Sequence, residues 1–230
     1  PDETKIAYTN TTDAGVELWV VDLNTKKSKK LSEKYINDIL VSPFQWFNSG
    51  SNLLVSYRCN SDMPLIKSVP SGPIIQQTNN QNAPSRTYQD LIKNKNDEIQ
   101  FEYYSCIELH KVSTKGSESE FIDSGMIKDY DISPDQDYLL VKKIKKPFSY
   151  LVPYYRFPYE IKTINLDNNI ETIIADISID EVRPIGFDAT RVGIRSVSWR
   201  DDMGSELYWV EANDNGDPKV EVDGRDIVYT

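Results

Sequence analysis

The sequence predicts an all-β fold of the β-propeller type, and three observations support this. Short runs rich in Val, Ile, Tyr, Trp and Leu alternate with polar residues and end at Asn, Asp, Gly, Ser or Pro, as β-strands do. The same order of strands and turns recurs along the chain. The chain has 230 residues, 39% hydrophobic and 11% aromatic, which is enough to bury a core. A disordered chain is therefore excluded.

Each repeat contains a predicted β-hairpin. Residues 128–144 read as a strand, a turn at Ser133-Pro134-Asp135 and a second, apolar strand. The turn is predicted because Pro fixes φ at the value that the second position of a tight turn requires. Residues 39–58 and 195–211 repeat this layout.

Further strands follow the same pattern. Third strands are predicted at 16–23, 105–112 and 159–166, and fourth strands at 26–32, 119–123 and 170–175. Units of four antiparallel strands predict propeller blades, which bury both faces against their neighbours. Within a single propeller segment, 1–230, the blade units are predicted at about 1–32, 37–123, 128–175 and 183–230.

The terminal units are predicted to be incomplete. The first lacks its innermost strand, and the last stops just inside its third, so that about four blades form a partial ring. Two arrangements fit: a small ring closed by the two chain ends, or an arc of a larger ring. An arc would expose apolar blade faces, through which the chain could self-associate. A long insertion at 64–99 interrupts the second unit, with a predicted helix at 87–99.

Charge and composition restrict the partners. The chain has 26 Lys and Arg against 36 Asp and Glu, a net charge of −10, which repels a phosphate backbone and excludes nucleic acid. No stretch approaches the ~18 apolar residues of a membrane span. The opening Pro1-Asp2-Glu3 is neither an initiator Met nor a leader, so we expect an excised segment or a processed protein.

No metal or other cofactor is predicted. A structural zinc site needs about four Cys or His ligands, and the chain has two Cys and one His. The acidic stretch 129–137 lacks the Gly and distal Glu of an EF-hand calcium loop, and its Asp residues fit a hairpin turn.

The two cysteines, Cys59 and Cys106, allow either a disulfide or two free thiols. We expect Cys59 near a strand end and Cys106 several residues along the partner strand. At about 3.3 Å per residue this offset exceeds the ~7 Å reach of a disulfide. Two free thiols are therefore predicted.

Several long segments resemble a known family. Residues 132–141 (ISPDQDYLLV), 145–158 (KKPFSYLVPYYRFP), 184–200 and 206–222 resemble the N-terminal propeller of prolyl oligopeptidase family serine peptidases, in particular the glutamyl-endopeptidase-like branch. Residues 71–104 resemble an insertion of that branch. The resemblance implies a propeller that lies over a C-terminal α/β-hydrolase domain and filters access to a Ser-Asp-His triad. It also implies a periplasmic or secreted protein.

The triad itself has no counterpart in this chain. The nucleophile of an α/β-hydrolase lies in a G-x-S-x-G turn, and no such string occurs. The one histidine, His110, belongs to the strand-like ELHKV and is predicted on an outward face. We therefore predict no catalytic residue here: the chain is the non-catalytic propeller of a serine peptidase, and its partners are the hydrolase domain and a peptide substrate.

Three arginines in the resembling segments are candidates for substrate binding: Arg156, Arg191 and Arg195. A guanidinium group can hold a carboxylate with two parallel hydrogen bonds, as recognition of an acidic side chain or a peptide terminus requires. The alternative is that they form salt bridges within loops of this acidic protein.

The loop 145–158 is a candidate surface for domain docking. Its three prolines cannot donate to a β-ladder, and its aromatic residues include Phe148, Tyr150, Tyr154 and Tyr155. Either the loop packs as a lid over a blade, or it docks against another domain, which the resemblance favours.

Two rival functions remain open. One is a free-standing propeller that binds a protein partner. The other is a propeller glycan hydrolase, which would need two carboxylates about 5–10 Å apart in a central pocket.

Overall fold

The computed structural model describes residues 3–59, 62–65, 88–116, 119–184 and 186–230. Its strands are β1 (Lys5–Thr12), β2 (Gly15–Asp22), β3 (Lys27–Lys30), β4 (Phe44–Trp46), β5 (Asn52–Arg58), β6 (Ile107–Ser113), β7 (Ser119–Gly125), β8 (Ile127–Ile132), β9 (Tyr138–Ile144), β10 (Tyr159–Asn165), β11 (Glu171–Ile177), β12 (Arg195–Trp199), β13 (Leu207–Ala212) and β14 (Asp226–Tyr229). The helix α1 spans Lys95–Ser105, and a 3-10 turn spans Tyr154–Arg156.

The strands form four antiparallel sheets in which neighbours in sequence pair with each other. Blade 1 is β1-β2-β3, blade 2 is β4 to β7, blade 3 is β8 to β11, and blade 4 is β12-β13-β14. The two middle sheets have four strands and the two terminal sheets have three. This confirms the predicted fold class, a propeller segment with incomplete terminal blades. Within the described ranges, no helix is long and apolar enough to cross a membrane.

Neighbouring blades share apolar cores because their central strands bury both faces. In β5, Leu54 packs in the core between blades 2 and 3, whereas Leu53 and Val55 pack in the core between blades 1 and 2. In β9, Leu139 faces blade 2 and Leu140 faces blade 4. Successive residues of a strand point to opposite faces, so a continuous apolar run is buried only where both faces are covered.

The predicted helix at 87–99 is wrong in position, since α1 begins eight residues later and ends at Ser105. The Asn94 side chain accepts hydrogen bonds from the backbone N–H groups of Asn96 and Asp97, and this N-cap sets the start of the helix. Residue 87 and most of the predicted insertion lie outside the described residues.

The prediction of two free thiols is also wrong, because Cys59 and Cys106 form a disulfide with a Cα–Cα distance of 5.6 Å. Arg58 pairs with Ile107 at the end of the β5–β6 ladder, so the next residue outward on each strand is a cysteine. The expected offset is absent because α1 occupies the chain up to Ser105 and β6 begins only at Ile107.

His110 is buried rather than on an outward face, with 6% of its surface exposed. Its ring contacts those of Tyr57 and Phe121 edge-on, with both centroid distances at 5.5 Å. The predicted outward position is wrong because both faces of β6 are covered. Leu109 packs in the core between blades 2 and 3, whereas His110 lies on the opposite face and pairs with Val55 of the core between blades 1 and 2.

Candidate functional site

A cavity of about 430 Å³ lies between the edge strands of blades 2 and 3. One wall comes from residues 40–45, which include the start of β4, and the other from residues 128–131 of β8. Among the described strands, β4 and β8 each pair on one side only. The cavity therefore lies where two sheet edges come together.

Hydrogen bonds hold the walls of this cavity together. The Tyr130 hydroxyl donates to the Ser42 carbonyl at 2.6 Å, and Gln45 Nε2 donates to Asp131 Oδ1 at 3.0 Å. From blade 4, Trp199 Nε1 donates to the Asp131 carbonyl at 3.0 Å. Burial raises the pKa of the Asp131 carboxyl because a charged carboxylate is poorly solvated there.

Lys128 is the cation of this cavity. Its ammonium group donates to the Tyr155 carbonyl at 3.2 Å and lies 3.9 Å from the centre of the Tyr159 ring. The pKa of Lys128 is lowered to about 8, mainly by burial and also by the positive charges of Lys142 and Arg191, against the opposing effect of Asp129. This half-buried lysine is the site residue that sequence reasoning missed.

Arg156 is built into the fold. The side chain is buried, with Nη1 donating to the Tyr88 hydroxyl at 2.8 Å and Nε 3.6 Å from Asp180 Oδ2. Its carbonyl also accepts from the Asp180 N–H at 3.0 Å. These contacts correspond to the alternative of a loop salt bridge, and a role of Arg156 in substrate binding stays a prediction.

Arg195 and Arg191 differ in their partners. Arg195 forms an ion pair with Asp226 of β14. Arg191 Nε donates to the neighbouring Val192 carbonyl at 3.4 Å, and its positive charge contributes less than burial and Lys142 to the lowering of the Lys128 pKa. None of the three predicted arginines is among the residues that line the cavity. Binding of substrate by Arg191 or Arg195 stays a prediction.

The position of Arg191 depends on a glycine turn. The Thr190 N–H donates to the Gly216 carbonyl at 3.1 Å, and Gly216 has a φ of +77°. A Cβ at this glycine would lie 2.3 Å from the Thr190 carbonyl oxygen. The turn therefore requires glycine both for its backbone angle and for the close approach of the chain before Arg191.

The loop 145–158 packs on α1 through its inner side. Phe148 is buried, with its ring 5.2 Å from that of Phe101 in α1 and 5.3 Å from that of Phe157. Tyr150 donates from its hydroxyl to Glu98 Oε1 at 2.7 Å. Phe148 thus belongs to the core of the chain, and α1 is a support for the loop that sequence reasoning did not foresee.

The outer side of the loop is aromatic and accessible. Tyr150, Tyr154 and Tyr155 are 43%, 39% and 54% exposed, and Leu151 is 68% exposed. The carbonyl of Tyr155 is also the acceptor for Lys128, so the loop connects with the cavity. Docking of another domain on this surface stays a prediction.

The acidic stretch 129–137 takes part in the turn that the sequence predicts. Asp135 Oδ1 accepts from the Ser133 hydroxyl at 2.6 Å and from the Asp137 N–H at 3.2 Å. Among the residues with described positions, no group of three or more His, Cys, Asp or Glu side chains is arranged to hold a metal ion.

The sheets and their shared cores define the chain as a β-propeller segment, and comparison with known proteins shows to which peptidases it is related. It is 37% identical over 223 residues to a protein named "Probable glutamyl endopeptidase, chloroplastic" from Oryza sativa subsp. japonica, an alignment that covers 95% of this chain and 24% of the relative. The protein of the same name from Arabidopsis thaliana is 35% identical over 218 residues, covering 92% and 22%. This chain is thus a propeller segment related to prolyl oligopeptidase family peptidases of the glutamyl endopeptidase type, as the resemblance predicted, and it spans about a quarter of these relatives.

Solved structures with similar folds include an acylaminoacyl peptidase bound to a chloromethyl ketone, with 14% identity, a TM-score of 0.49 and coverage of 95% of this chain and 28% of that one. The propeller domain of the trilobed protease from Pyrococcus furiosus has 14% identity, a TM-score of 0.43 and coverage of 92% and 61%. No family model matches the chain.

Proposed function

We propose that this chain is the non-catalytic propeller portion of a serine peptidase and gates the access of peptides to a C-terminal α/β-hydrolase domain. The observation that carries the proposal is the alignment of 95% of the chain with only 24% of a protein named as a glutamyl endopeptidase. The aligned part is a propeller and contains no G-x-S-x-G string. The nucleophile of such a peptidase would then come from another domain.

The surface of loop 145–158 supports a docking role within this proposal. Three exposed tyrosines and Leu151 form an apolar patch on a loop that Phe148 anchors to α1. Apolar patches of this kind mark sites of contact with other protein surfaces. We propose that the hydrolase domain covers this patch.

The disulfide between Cys59 and Cys106 supports a periplasmic or secreted location. Disulfides persist in oxidising compartments and are rare in the cytosol. The names of both relatives carry the word chloroplastic, which describes those proteins. Alkylation of thiols in fractionated native cells tests the location: the extracytoplasmic fraction should hold the protein with both thiols blocked until a reductant is added. Recovery from the cytoplasm with reactive thiols would contradict it.

A cleavage assay on the full-length peptidase that contains this chain tests the gate. The substrates are a short glutamate-containing peptide and a folded protein that displays the same sequence in a surface loop. We expect cleavage of the peptide and not of the folded protein, and no cleavage by the 230-residue chain alone. Equal rates on the two substrates, or turnover by the chain alone, would overturn the proposal.

Variants in the loop test the docking surface. Tyr154→Asp with Tyr155→Asp should weaken contact between the domains and allow cleavage of the folded protein. Tyr8→Asp is the matched control, because Tyr8 is an exposed tyrosine (38%) of β1 in blade 1. If the Tyr8→Asp control allows as much cleavage of the folded protein as the double variant does, the loop is not the docking surface.

A further inference from the structure

The cavity between blades 2 and 3 contains a cation without a carboxylate partner. Among the residues that the structure describes, no carboxylate lies within 4.0 Å of Lys128 Nζ, whose contacts are the Tyr155 carbonyl and the Tyr159 ring. The chain has ten more acidic than basic residues, so a half-buried ammonium without a counter-charge is unexpected. Desolvation of an unpaired ammonium opposes folding, which suggests that an external group supplies the missing charge.

The negative groups near Lys128 are already occupied. Asp129 Oδ2 lies 2.6 Å from Lys142 Nζ, and Asp131 Oδ1 accepts from Gln45. Burial also raises the pKa of Asp131, so that it takes up a proton more readily than an exposed aspartate. The ammonium of Lys128 therefore retains its capacity to donate to a ligand.

From these contacts we propose that Lys128 binds a peptide carboxylate at the edge of β8. This site rests on the proposed function, since it supplies a point at which the gate holds an acidic peptide. A carboxylate accepts charge-assisted hydrogen bonds from the Lys128 ammonium. The outer edge of β8, which pairs with no other strand in the described ranges, offers backbone groups to an extended peptide, as edge strands do in strand addition.

The carboxylate can come from a glutamate side chain or from the C-terminus of a peptide, and three probe peptides separate these sources. The first has one central Glu and blocked ends, the second has Gln in place of that Glu, and the third is the Gln peptide with a free C-terminal carboxylate. Binding to the 230-residue chain is measured by calorimetry. We expect at least one carboxylate peptide to bind about tenfold more tightly than the blocked Gln peptide. Equal binding of all three would overturn the proposal.

Substitutions assign the effect to Lys128. Lys128→Met should remove most of the preference for the carboxylate, whereas Lys128→Arg should retain it. Lys27→Gln is the control, because Lys27 is an exposed residue of β3 and its loss changes the net charge by the same amount. A Lys128→Met chain that keeps the preference, or a Lys27→Gln chain that loses it, would overturn the site.

A spectroscopic readout separates binding from a change in stability. In an NMR titration of Lys128, the carboxylate peptide should raise the pKa of the ammonium above its free value of about 8, because the anion stabilises the charged form. An unchanged pKa in the presence of saturating peptide would argue against contact. Both measurements use the chain without a hydrolase domain. If the chain does not prefer carboxylate peptides but the full-length peptidase still excludes folded proteins, only the binding site is rejected. If the chain prefers carboxylate peptides but the peptidase cleaves folded proteins, only the gating role is rejected.

Discussion

Lys162 Nζ of β10 lies 3.0 Å from Asp123 Oδ2 of β7, and this ion pair joins blade 3 to blade 2. Both side chains are nearly inaccessible, at 4% and 9% exposure. Glu171 Oε1 lies 2.9 Å from the same ammonium group. Burial acts to lower the pKa of Lys162, but the hydrogen bonds from the ammonium to Glu171 and Asp123 outweigh it and raise the pKa. The ion pair connects an outer strand of one blade to a central strand of the next.

Replacing Lys162 by Met should lower the free energy of unfolding by about 3 kcal/mol, because Asp123 then loses its closest ion-pair partner in a buried position. Urea denaturation at pH 7 measures the change. Lys145→Met is the control: the Lys145–Asp176 pair is exposed, and its loss should cost less than about 1 kcal/mol. Similar losses for the two variants would show that burial does not strengthen the inter-blade pair.

Replacing Lys128 by Met should have the opposite effect. It should raise the free energy of unfolding by about 1 kcal/mol at pH 7, after allowance for partial solvent screening. The pKa of Lys128 is lowered from 10.5 to about 8 in the fold. The unfolded chain therefore binds the proton more tightly. The cost of the buried charge is fully present below pH 8 and disappears as the pH rises towards 10.5, where the lysine is neutral in both states.

The difference between wild type and Lys128→Met in chemical denaturation should accordingly shrink between pH 8 and pH 10.5. A variant that is less stable than wild type at pH 7 would identify Lys128 as a structural residue. Stabilisation together with loss of carboxylate binding is the combination expected of a residue kept for its function.

Removing the disulfide should destabilise the chain by up to about 4 kcal/mol, the entropy expected for a loop of this size. Cys59 and Cys106 are separated by 47 positions in sequence. Unfolding with and without dithiothreitol measures the effect, and the Cys59→Ser, Cys106→Ser double variant is the control, because it should not respond to the reductant. A wild-type chain whose unfolding is also unaffected by reduction would contradict a stabilising disulfide.

Acidification should destabilise the chain through His110. Burial lowers the pKa of His110, and the charge of Lys34 lowers it further, against the opposing effect of Glu108. The ring nitrogens lie 2.8 Å from the Ser119 hydroxyl and 3.3 Å from Glu108 Oε2. The unfolded chain therefore takes up the proton first as the pH falls through about 6.5, and stability is lost below that pH.

The His110→Gln variant isolates this effect from the titration of carboxylates. Between pH 7 and pH 5 its stability should fall less than that of wild type. The chain has one histidine, so a single imidazole resonance reports the titration directly. A midpoint at or above pH 6.5 in the folded chain would contradict the prediction.

The sequence alone determined the strands and how they are grouped. Runs such as Leu53-Leu54-Val55 and Leu139-Leu140-Val141 indicate strands covered on both faces, because adjacent residues point in opposite directions and all are apolar. The turn at Ser133-Pro134-Asp135 also follows from local chemistry. Such features depend on neighbours in sequence, so they can be predicted from a single chain. The resemblance to glutamyl endopeptidases also rests on short stretches of consecutive residues.

Only the tertiary structure decided which distant residues meet. The end of the β5–β6 ladder, set by the start of β6 after α1, brings Cys59 opposite Cys106. The path of loop 145–158 places the Tyr155 carbonyl within hydrogen-bond distance of Lys128 Nζ. These contacts depend on strand register and on how sheets pack face to face. Register and packing depend on many side chains at once, so the residues adjacent in sequence to each site do not predict these contacts.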